Sequence, residues 1–244
     1  MKAIVLGAGK GKRLHSENFT QPKVMREANG RPLIRYMLDA ISFIPEKDIT
    51  IVVGYKKEYV MENIKGDFSF AVQEEQLGTG HAVNSAKDIL KDYDGNVLIS
   101  YGDMPLFKEA TFKGMEKTHL DTNADCTVLT AKVDKHIPFG RIIRDENGNF
   151  ADVVEQKDCN EEQDKIREYN AGIYVFDSKK LFAYLGQLKN NNAQGEYYLT
   201  DVPKLMLNDG LKISTYTITD DVEIMGVNTP EDLAEVENLL KNRK

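Results

Sequence analysis

Cysteine is scarce in this 244-residue chain, which has only Cys126 and Cys159, far apart in sequence. Two such residues make no disulfide framework and read as reduced and incidental, which fits the cytoplasm. His15, His81, His119 and His136 show no metal-ligand spacing, so no structural zinc site is expected. There is no long apolar run, and therefore no expected transmembrane helix. The first residues lack the charged, apolar and small-residue order of a signal peptide. Internal repeats, low-complexity stretches and Pro/Ser-rich linkers are also missing, as is any Ser-His-Asp or Cys-His arrangement. At this length the chain can bury a real core in one domain with a subsidiary lobe.

A net charge of −7 disfavours a general nucleic-acid or anionic-membrane surface, so neither partner is expected. The charge is uneven, however. Residues 1–35 hold eight Lys or Arg against only Glu17 and Glu27. A cationic patch on an acidic protein suits a small polyanion such as a nucleoside triphosphate. The alternative is a solvated face, but these charges cluster at glycines.

The cluster follows the first apolar run, residues 3–6, in Met1-Lys-Ala-Ile-Val-Leu-Gly-Ala-Gly-Lys-Gly-Lys-Arg-Leu14, with Pro22-Lys23 beyond. Gly7, Gly9 and Gly11 remove side chains that would hold a backbone away from a bulky anion, and they permit unusual dihedrals. Exposed N–H groups in such a turn cradle phosphate, and Lys10, Lys12, Arg13 and Lys23 add charge. The dinucleotide fingerprint G-x-G-x-x-G is excluded, because the third glycine falls on Lys12 or Leu14. The Walker A loop is excluded because Leu6 and Arg13 stand where it needs Gly and Ser or Thr. What remains is another kind of phosphate loop or a plain strand-to-helix turn.

Along the chain, strands are predicted at 3–6, 49–53, 68–73 and 97–101. Helices are predicted at 32–43, at 58–64 and from Gly78 through Leu90. This alternation argues for a parallel sheet with helices on both faces. The pattern then changes. A strand is expected at 126–133, and a hairpin from 141–144 and 150–155 around Asp145-Glu-Asn-Gly148. A further strand at 169–176 precedes a helix capped by Ser178. Residues 200–208 read as helix, while 213–218 and 223–227 read as strand. Thr229-Pro-Glu-Asp232 opens a last helix. The expected fold is α/β, a doubly wound, mostly parallel Rossmann-like sheet with a small β-hairpin lobe. Residues 1–228 form the domain, and 229–244 form a helix packing on or trailing it.

Open α/β sheets bind ligands beyond the carboxyl ends of their strands. Residues 7–13, Gln73-Glu-Glu-Gln-Leu-Gly-Thr-Gly80 and Tyr101-Gly-Asp-Met-Pro-Leu106 all sit at such ends. Asp103 could hold Mg²⁺ there, with phosphate oxygens and water completing the shell, or it could cap a turn. Asn228 offers a neutral oxygen as a second ligand, or is itself a turn or cap residue. His81, just inside a helix start, reads as a packing or capping residue.

Leu6-Gly-Ala-Gly-Lys-Gly-Lys-Arg13 with Pro22-Lys23 resembles the signature of sugar-phosphate nucleotidyltransferases. Other motifs narrow the resemblance: Glu75-Gln-Leu-Gly-Thr-Gly-His-Ala82, Gly140-Arg141, Val154-Glu-Gln-Lys-Asp158, Asn190-Asn-Asn-Ala-Gln-Gly-Glu-Tyr-Tyr-Leu-Thr-Asp201 and Gly226-Val-Asn228. These are similar to the uridyltransferase domain of bacterial bifunctional N-acetylglucosamine-1-phosphate uridyltransferase/glucosamine-1-phosphate acetyltransferases, over residues 2 to about 240. The resemblance implies uridylyl transfer from UTP to N-acetylglucosamine 1-phosphate with release of pyrophosphate.

Position by position, the resemblance implies that Arg13 and Lys23 are catalytic and hold the triphosphate. Leu6, Gly7, Ala8, Gly9 and Gly11 would bind the nucleotide, and Gln73, Gly78 and Thr79 would read the uracil. Tyr101, Gly140, Glu155 and Asn170 would contact the sugar 1-phosphate, and Asp103 and Asn228 would hold Mg²⁺. Other sugar 1-phosphates or nucleotides, or a non-catalytic nucleotide-sugar sensor, stay open as alternatives. A sensor need not keep Arg13, Lys23, Asp103 and Asn228. The chain departs from the family at Lys12, where Thr is common, and in a longer segment before Pro22. No hexapeptide repeat occurs in residues 1–244, so a stand-alone enzyme or a truncated bifunctional one without acetyltransferase activity is expected. The oligomeric state is left open.

Overall fold

A computed structural model describes residues 1–11, 14 and 21–242. Lys12, Arg13 and most of the longer segment before Pro22 therefore lie outside the described residues. The chain runs β1 (Lys2–Leu6), β2 (Glu27–Ala28), β3 (Arg31–Pro32), α1 (Leu33–Ala40), β4 (Ile49–Val53), α2 (Lys57–Asn63), β5 (Ser69–Val72), α3 (Thr79–Asn84), α4 (Lys87–Leu90) and β6 (Asn96–Tyr101). It continues with α5 (Glu109–Thr122), β7 (Cys126–Lys132), β8 (Arg141–Arg144), β9 (Phe150–Val154), α6 (Glu161–Asp164), β10 (Glu168–Asp177), α7 (Ser178–Leu185), α8 (Asp201–Asn208), β11 (Ile213–Ile218) and α9 (Pro230–Asn242). No helix among the described residues is long and apolar enough to cross a membrane.

Among these residues the main sheet has the order β11-β7-β10-β6-β1-β4-β5, with β8 and β9 attached through β10. The run β5-β4-β1-β6 is parallel, as the strand-helix alternation predicts. β10 is antiparallel to both β6 and β7, and β11 is parallel to β7. Alternate residues of β1 serve opposite faces: Ala3 and Val5 pack in one core, Ile4 and Leu6 in the other. A strand covered on both faces must be apolar throughout, which is why residues 3–6 read as a continuous run. After β4 and β5 build outward on one side of β1, the chain crosses back and places β6 on the other. The carboxyl ends of β1 and β6 therefore flank a topological switch point, where open α/β sheets take ligands.

Several local expectations change. The helix expected from Gly78 through Leu90 breaks into α3 and α4. At the break Ala86 N bonds Val83 O at 3.0 Å in a tightened turn, and the Ser85 hydroxyl adds a bond to His81 O at 3.1 Å. The helix expected over 32–43 is α1 alone, because Pro32 pairs in β3 and the chain turns ahead of Pro45. Ser178 does not cap α7. Asp177 does, its Oδ1 accepting from Lys180 N at 2.9 Å. Residues 223–227 form no strand. Residues 223 and 224 belong to a turn over 221–224, residues 225–227 are irregular, and Val227 N donates to Asp103 O at 2.9 Å. Helix α5 was not anticipated. Its buried positions are Thr111, Phe112, Met115 and His119, and the two polar ones hide the apolar stripe.

Candidate functional site

The turn after β1 is built by close approach. Gly7 N donates to Val52 O at 2.8 Å, and a Cβ on Gly7 would stand 3.3 Å from that oxygen and 3.4 Å from Val24. Of the three glycines of the loop, only Gly11 has a positive φ, +61°. Leu6, Gly7 and Ala8 are buried while Gly9 and Lys10 reach solvent, so the loop emerges just past the sheet edge.

Lys23 begins a short turn after Pro22, and its ammonium lies against Asp103 Oδ2 and donates to Asn228 Oδ1 at 3.0 Å. Three segments far apart in sequence meet there. Asp103 is delivered by the end of β6, where Gly102 N bonds Leu6 O at 2.9 Å. Asn228 is held by the backbone bond between Val227 and Asp103 and by the start of α9. Asp232 Oδ2 accepts from the backbone N–H groups of Asn228 and Thr229, each at 2.8 Å, and Thr229 Oγ1 accepts from Asp232 N at 3.2 Å. This reciprocal cap is the predicted helix start. Val236 and Leu233 of α9 pack with Ala28, Leu33 and Leu106, which holds the helix and Asn228 on the same body.

Beside this cluster lies a cleft of about 210 Å³. Of the sequence-predicted residues, Thr79, Tyr101, Asp103, Gly140, Glu155, Asn170 and Asn228 line it. Gln73 and Gly78 sit behind Thr79, and Lys23 reaches the cleft through Asp103 and Asn228. Burial pushes the Tyr101 hydroxyl far above its ordinary value, with the charges of Glu155 and Asp103 adding, so the phenol stays protonated. Burial also raises Glu155, opposed by the Thr200 hydroxyl, which donates to Glu155 Oε1 at 3.0 Å. Asn170 N donates to Gly140 O at 2.8 Å, and Asn170 Oδ1 accepts from Gly172 N at 3.1 Å. Gly172 has φ +78°, and a Cβ there would meet the Tyr101 ring at 3.0 Å. The irregular stretch of β10 between Asn170 and Tyr174 thus makes room for that ring.

The turn carrying Gly78 is fastened to the segment before α8. Gly80 N donates to Tyr197 O and Tyr197 N to Leu77 O, both at 2.8 Å, and Thr79 Oγ1 accepts from Leu199 N at 3.0 Å. With φ +112° and a Cβ position 2.6 Å from Tyr197 O, Gly78 admits no side chain.

Two residues inside the quoted motifs, Thr200 and Arg141, received no individual role from the sequence. Thr200 lies next to the predicted Asp201 end of a motif, but only the fold aims its hydroxyl at Glu155. Arg141 is fully buried under the wall of the cleft. Its guanidinium stacks on Tyr169 at 4.8 Å, donates to Ile137 O at 3.2 Å and to Phe139 O, and pairs with Asp164 at 2.6 Å. It braces residues 136–140, whose Pro138, Phe139 and Gly140 form that wall. A buried arginine carries no signal in hydropathy patterning.

Residues 2–242 match the nucleotidyl transferase family. The chain is 43% identical over 242 residues to the bifunctional protein GlmU of Streptococcus thermophilus (strain CNRZ 1066), covering 99% of this chain and 52% of that protein. It is 40% identical over 242 residues to the bifunctional protein GlmU of Clostridioides difficile (strain 630), with the same 99% and 52% coverage. The chain therefore spans about half the length of the curated relatives it matches. The crystal structure of a UDP-glucose pyrophosphorylase complexed with UDP-glucose superposes with a TM-score of 0.78 at 18% identity, covering 100% of this chain and 99% of that one. At that identity the likeness concerns the fold.

Proposed function

The chain belongs to the nucleotidyl transferase family, and we propose that it transfers the uridylyl group of UTP to N-acetylglucosamine 1-phosphate, releasing pyrophosphate. The observation that carries this reading is the meeting of three sets of groups at one switch point. Lys23, Asp103 and Asn228 form a charged cluster, Gln73 and Thr79 lie on one side, and Gly140, Glu155 and Asn170 line the cleft. The motif resemblance supplies the identities of base and sugar.

The chemistry asks little of acid–base groups. A phosphate oxygen of the sugar phosphate, already anionic, attacks the α-phosphorus of UTP. The new O–P bond forms as the bond to the bridging oxygen of the β-phosphate breaks, and pyrophosphate departs without a proton transfer. The work left to the protein is in-line positioning and neutralising charge. The Lys23 ammonium is placed for the second task. In this reading Glu155, bonded by Thr200, would accept from a sugar hydroxyl, and Tyr101, kept protonated by burial, would donate or pack.

Asp103 Oδ2 and Asn228 Oδ1 already share one cation, the Lys23 ammonium, so the pair fits a bound Mg²⁺. No group of three or more His, Cys, Asp or Glu among the described residues forms a metal cage. A single carboxylate and a neutral oxygen, with substrate phosphates and water, is the donor set Mg²⁺ accepts. When bound, Mg²⁺ would neutralise phosphate charge and help align the triphosphate.

The test is pyrophosphate release by the purified chain, with UTP, CTP, dTTP and ATP each paired with several sugar 1-phosphates. UTP with N-acetylglucosamine 1-phosphate should give the highest kcat/KM, with glucose 1-phosphate at least about tenfold lower, because the acetamido contacts go unmade. Chelator should abolish turnover. Failure of every pair would remove the transferase reading. Equal use of glucose 1-phosphate would keep the reaction class and remove the amino sugar.

A further inference from the structure

The side-chain amide of Gln73 has a determined orientation. Gln73 follows β5 and is 4% exposed. Its Nε2 stands 3.1 Å from Gly78 O and 3.1 Å from His81 Nδ1. A carbonyl oxygen can only accept, so the amide atom facing Gly78 is the nitrogen. That nitrogen has two hydrogens. One goes to Gly78 O, and the other goes to His81 Nδ1, which therefore acts as the acceptor. Both donors of Gln73 are turned inward. Its Oε1 makes no hydrogen bond among the described residues and is not sealed from solvent.

One contact would act as a hinge, while two fix the plane. Gly78 alone penalises the flipped amide, which would set oxygen against oxygen, but it leaves the amide free to swing away from the carbonyl. His81 closes that freedom. Its ring is carried on the first turn of α3, one turn from Gln73's partner carbonyl. Gly78 itself is locked against Tyr197, so the whole frame around the amide is rigid.

We propose that His81 is a positioning residue for nucleobase choice. By holding both amide hydrogens of Gln73 inward with Gly78, it presents Oε1 as an acceptor and nothing else. An acceptor selects a pyrimidine whose N3 carries hydrogen, as in uracil, and opposes cytosine, whose N3 is itself an acceptor. The discrimination is between ring protonation states, so thymine passes the same filter as uracil. This inference rests on the proposed placement of the nucleotide at Gln73.

The experiment compares kcat/KM for UTP and CTP, with one sugar 1-phosphate, in the natural protein, His81→Ala and His81→Asn. Asparagine keeps an acceptor oxygen at the Nδ1 position. His81→Ala should lower the UTP/CTP ratio about five- to tenfold through the UTP KM, the worth of one hydrogen bond. The KM for the sugar phosphate should move less than about twofold. His81→Asn should recover most of the ratio. Independently of turnover, the Gln73 side-chain NH₂ should show hydrogen exchange at least about tenfold faster in His81→Ala, and slow again in His81→Asn. Unchanged discrimination and unchanged exchange in folded His81→Ala would overturn the role of His81 alone. A natural protein that makes no nucleotide sugar from UTP would overturn the reading beneath it. If His81→Ala does not fold, His81→Gln, which moves the acceptor one bond outward, replaces it, and a natural UTP/CTP ratio there overturns the proposal.

Discussion

Replacing Asp201 with Asn should stabilise the protein at neutral pH and do nothing in acid. Asp201 opens α8, half-buried, with its pKa raised from 3.8 to about 6. Burial is the main cause, and the neighbouring Asp152 and Asp158 add repulsion against a partial offset from Lys204. A carboxyl whose folded pKa exceeds its unfolded value binds its proton more tightly in the native state. Native stability therefore falls as pH rises from about 4 through about 6, and is level beyond. A rise of about 2 units has a ceiling of ~3 kcal/mol at 1.36 kcal/mol per unit. Partial exposure screens the charge, and Asn forgoes the favourable meeting of a carboxylate with the helix start, worth ~0.3–1 kcal/mol. The net gain for Asp201→Asn at pH 7.5 should be about 1 kcal/mol, or a rise in Tm of about 2–4 °C for a chain of this size. Thermal unfolding of both proteins from pH 4 to pH 8 reads the gap directly. It should open between pH 4 and 6 and stay constant above. A gap independent of pH, or a less stable variant at pH 7.5, would refute the assignment of a strained carboxylate at this helix start.

Three substitutions test the cleft. Lys23→Ala removes a cation the structure places on both Asp103 and Asn228, and kcat should fall ~10²–10³-fold in a protein whose circular dichroism is unchanged. Full turnover would take Lys23 out of the mechanism. Gly140→Ala puts a methyl 3.3 Å from Val153 and Val154 O and 3.6 Å from Glu155 Oε2, so the KM for sugar phosphate should rise about tenfold while that for UTP holds. Equal effects on both substrates would detach Gly140 from the sugar side. Thr200→Val deletes the donor that opposes the burial of Glu155, so the Glu155 pKa should climb further. The acid limb of sugar-phosphate kcat/KM against pH should then move to higher pH, and a stationary limb would show that Glu155 does not carry it.

Some elements were legible in the sequence because their local physics is strong. The β-branched run at 49–53 and the Thr229-Pro-Glu-Asp232 start became β4 and α9 at the expected places. The inner strands β1 and β4 read correctly because burial on both faces favours largely apolar runs. Others failed where the backbone left the regular ladder. The helix joined by its apolar spacing is interrupted after Asn84, where Ala86 N bonds Val83 O in a tightened turn. Asp177 caps in place of Ser178 because it holds the extended position just before the helix, from which its carboxylate accepts from Lys180 N, while Ser178 is already the first helical residue. Residues 223–227 were apolar enough for a strand but found their partner in one backbone bond to Asp103 rather than in a ladder.

By itself the sequence determined the alternation that makes a doubly wound sheet, the glycine-rich turn after β1, and the residue types gathered at the strand ends. These depend on neighbours a few positions apart, where hydrophobic period and turn chemistry act directly. Only the tertiary structure decided that Lys23, Asp103 and Asn228 share one charged contact across 80 and 205 residues of chain. It alone aimed Thr200 at Glu155, set the Gln73 amide between Gly78 and His81, and buried Arg141 beneath the cleft wall. Each of these is a polar contact between distant segments. Its geometry is set by strand order and packing, which no local pattern encodes.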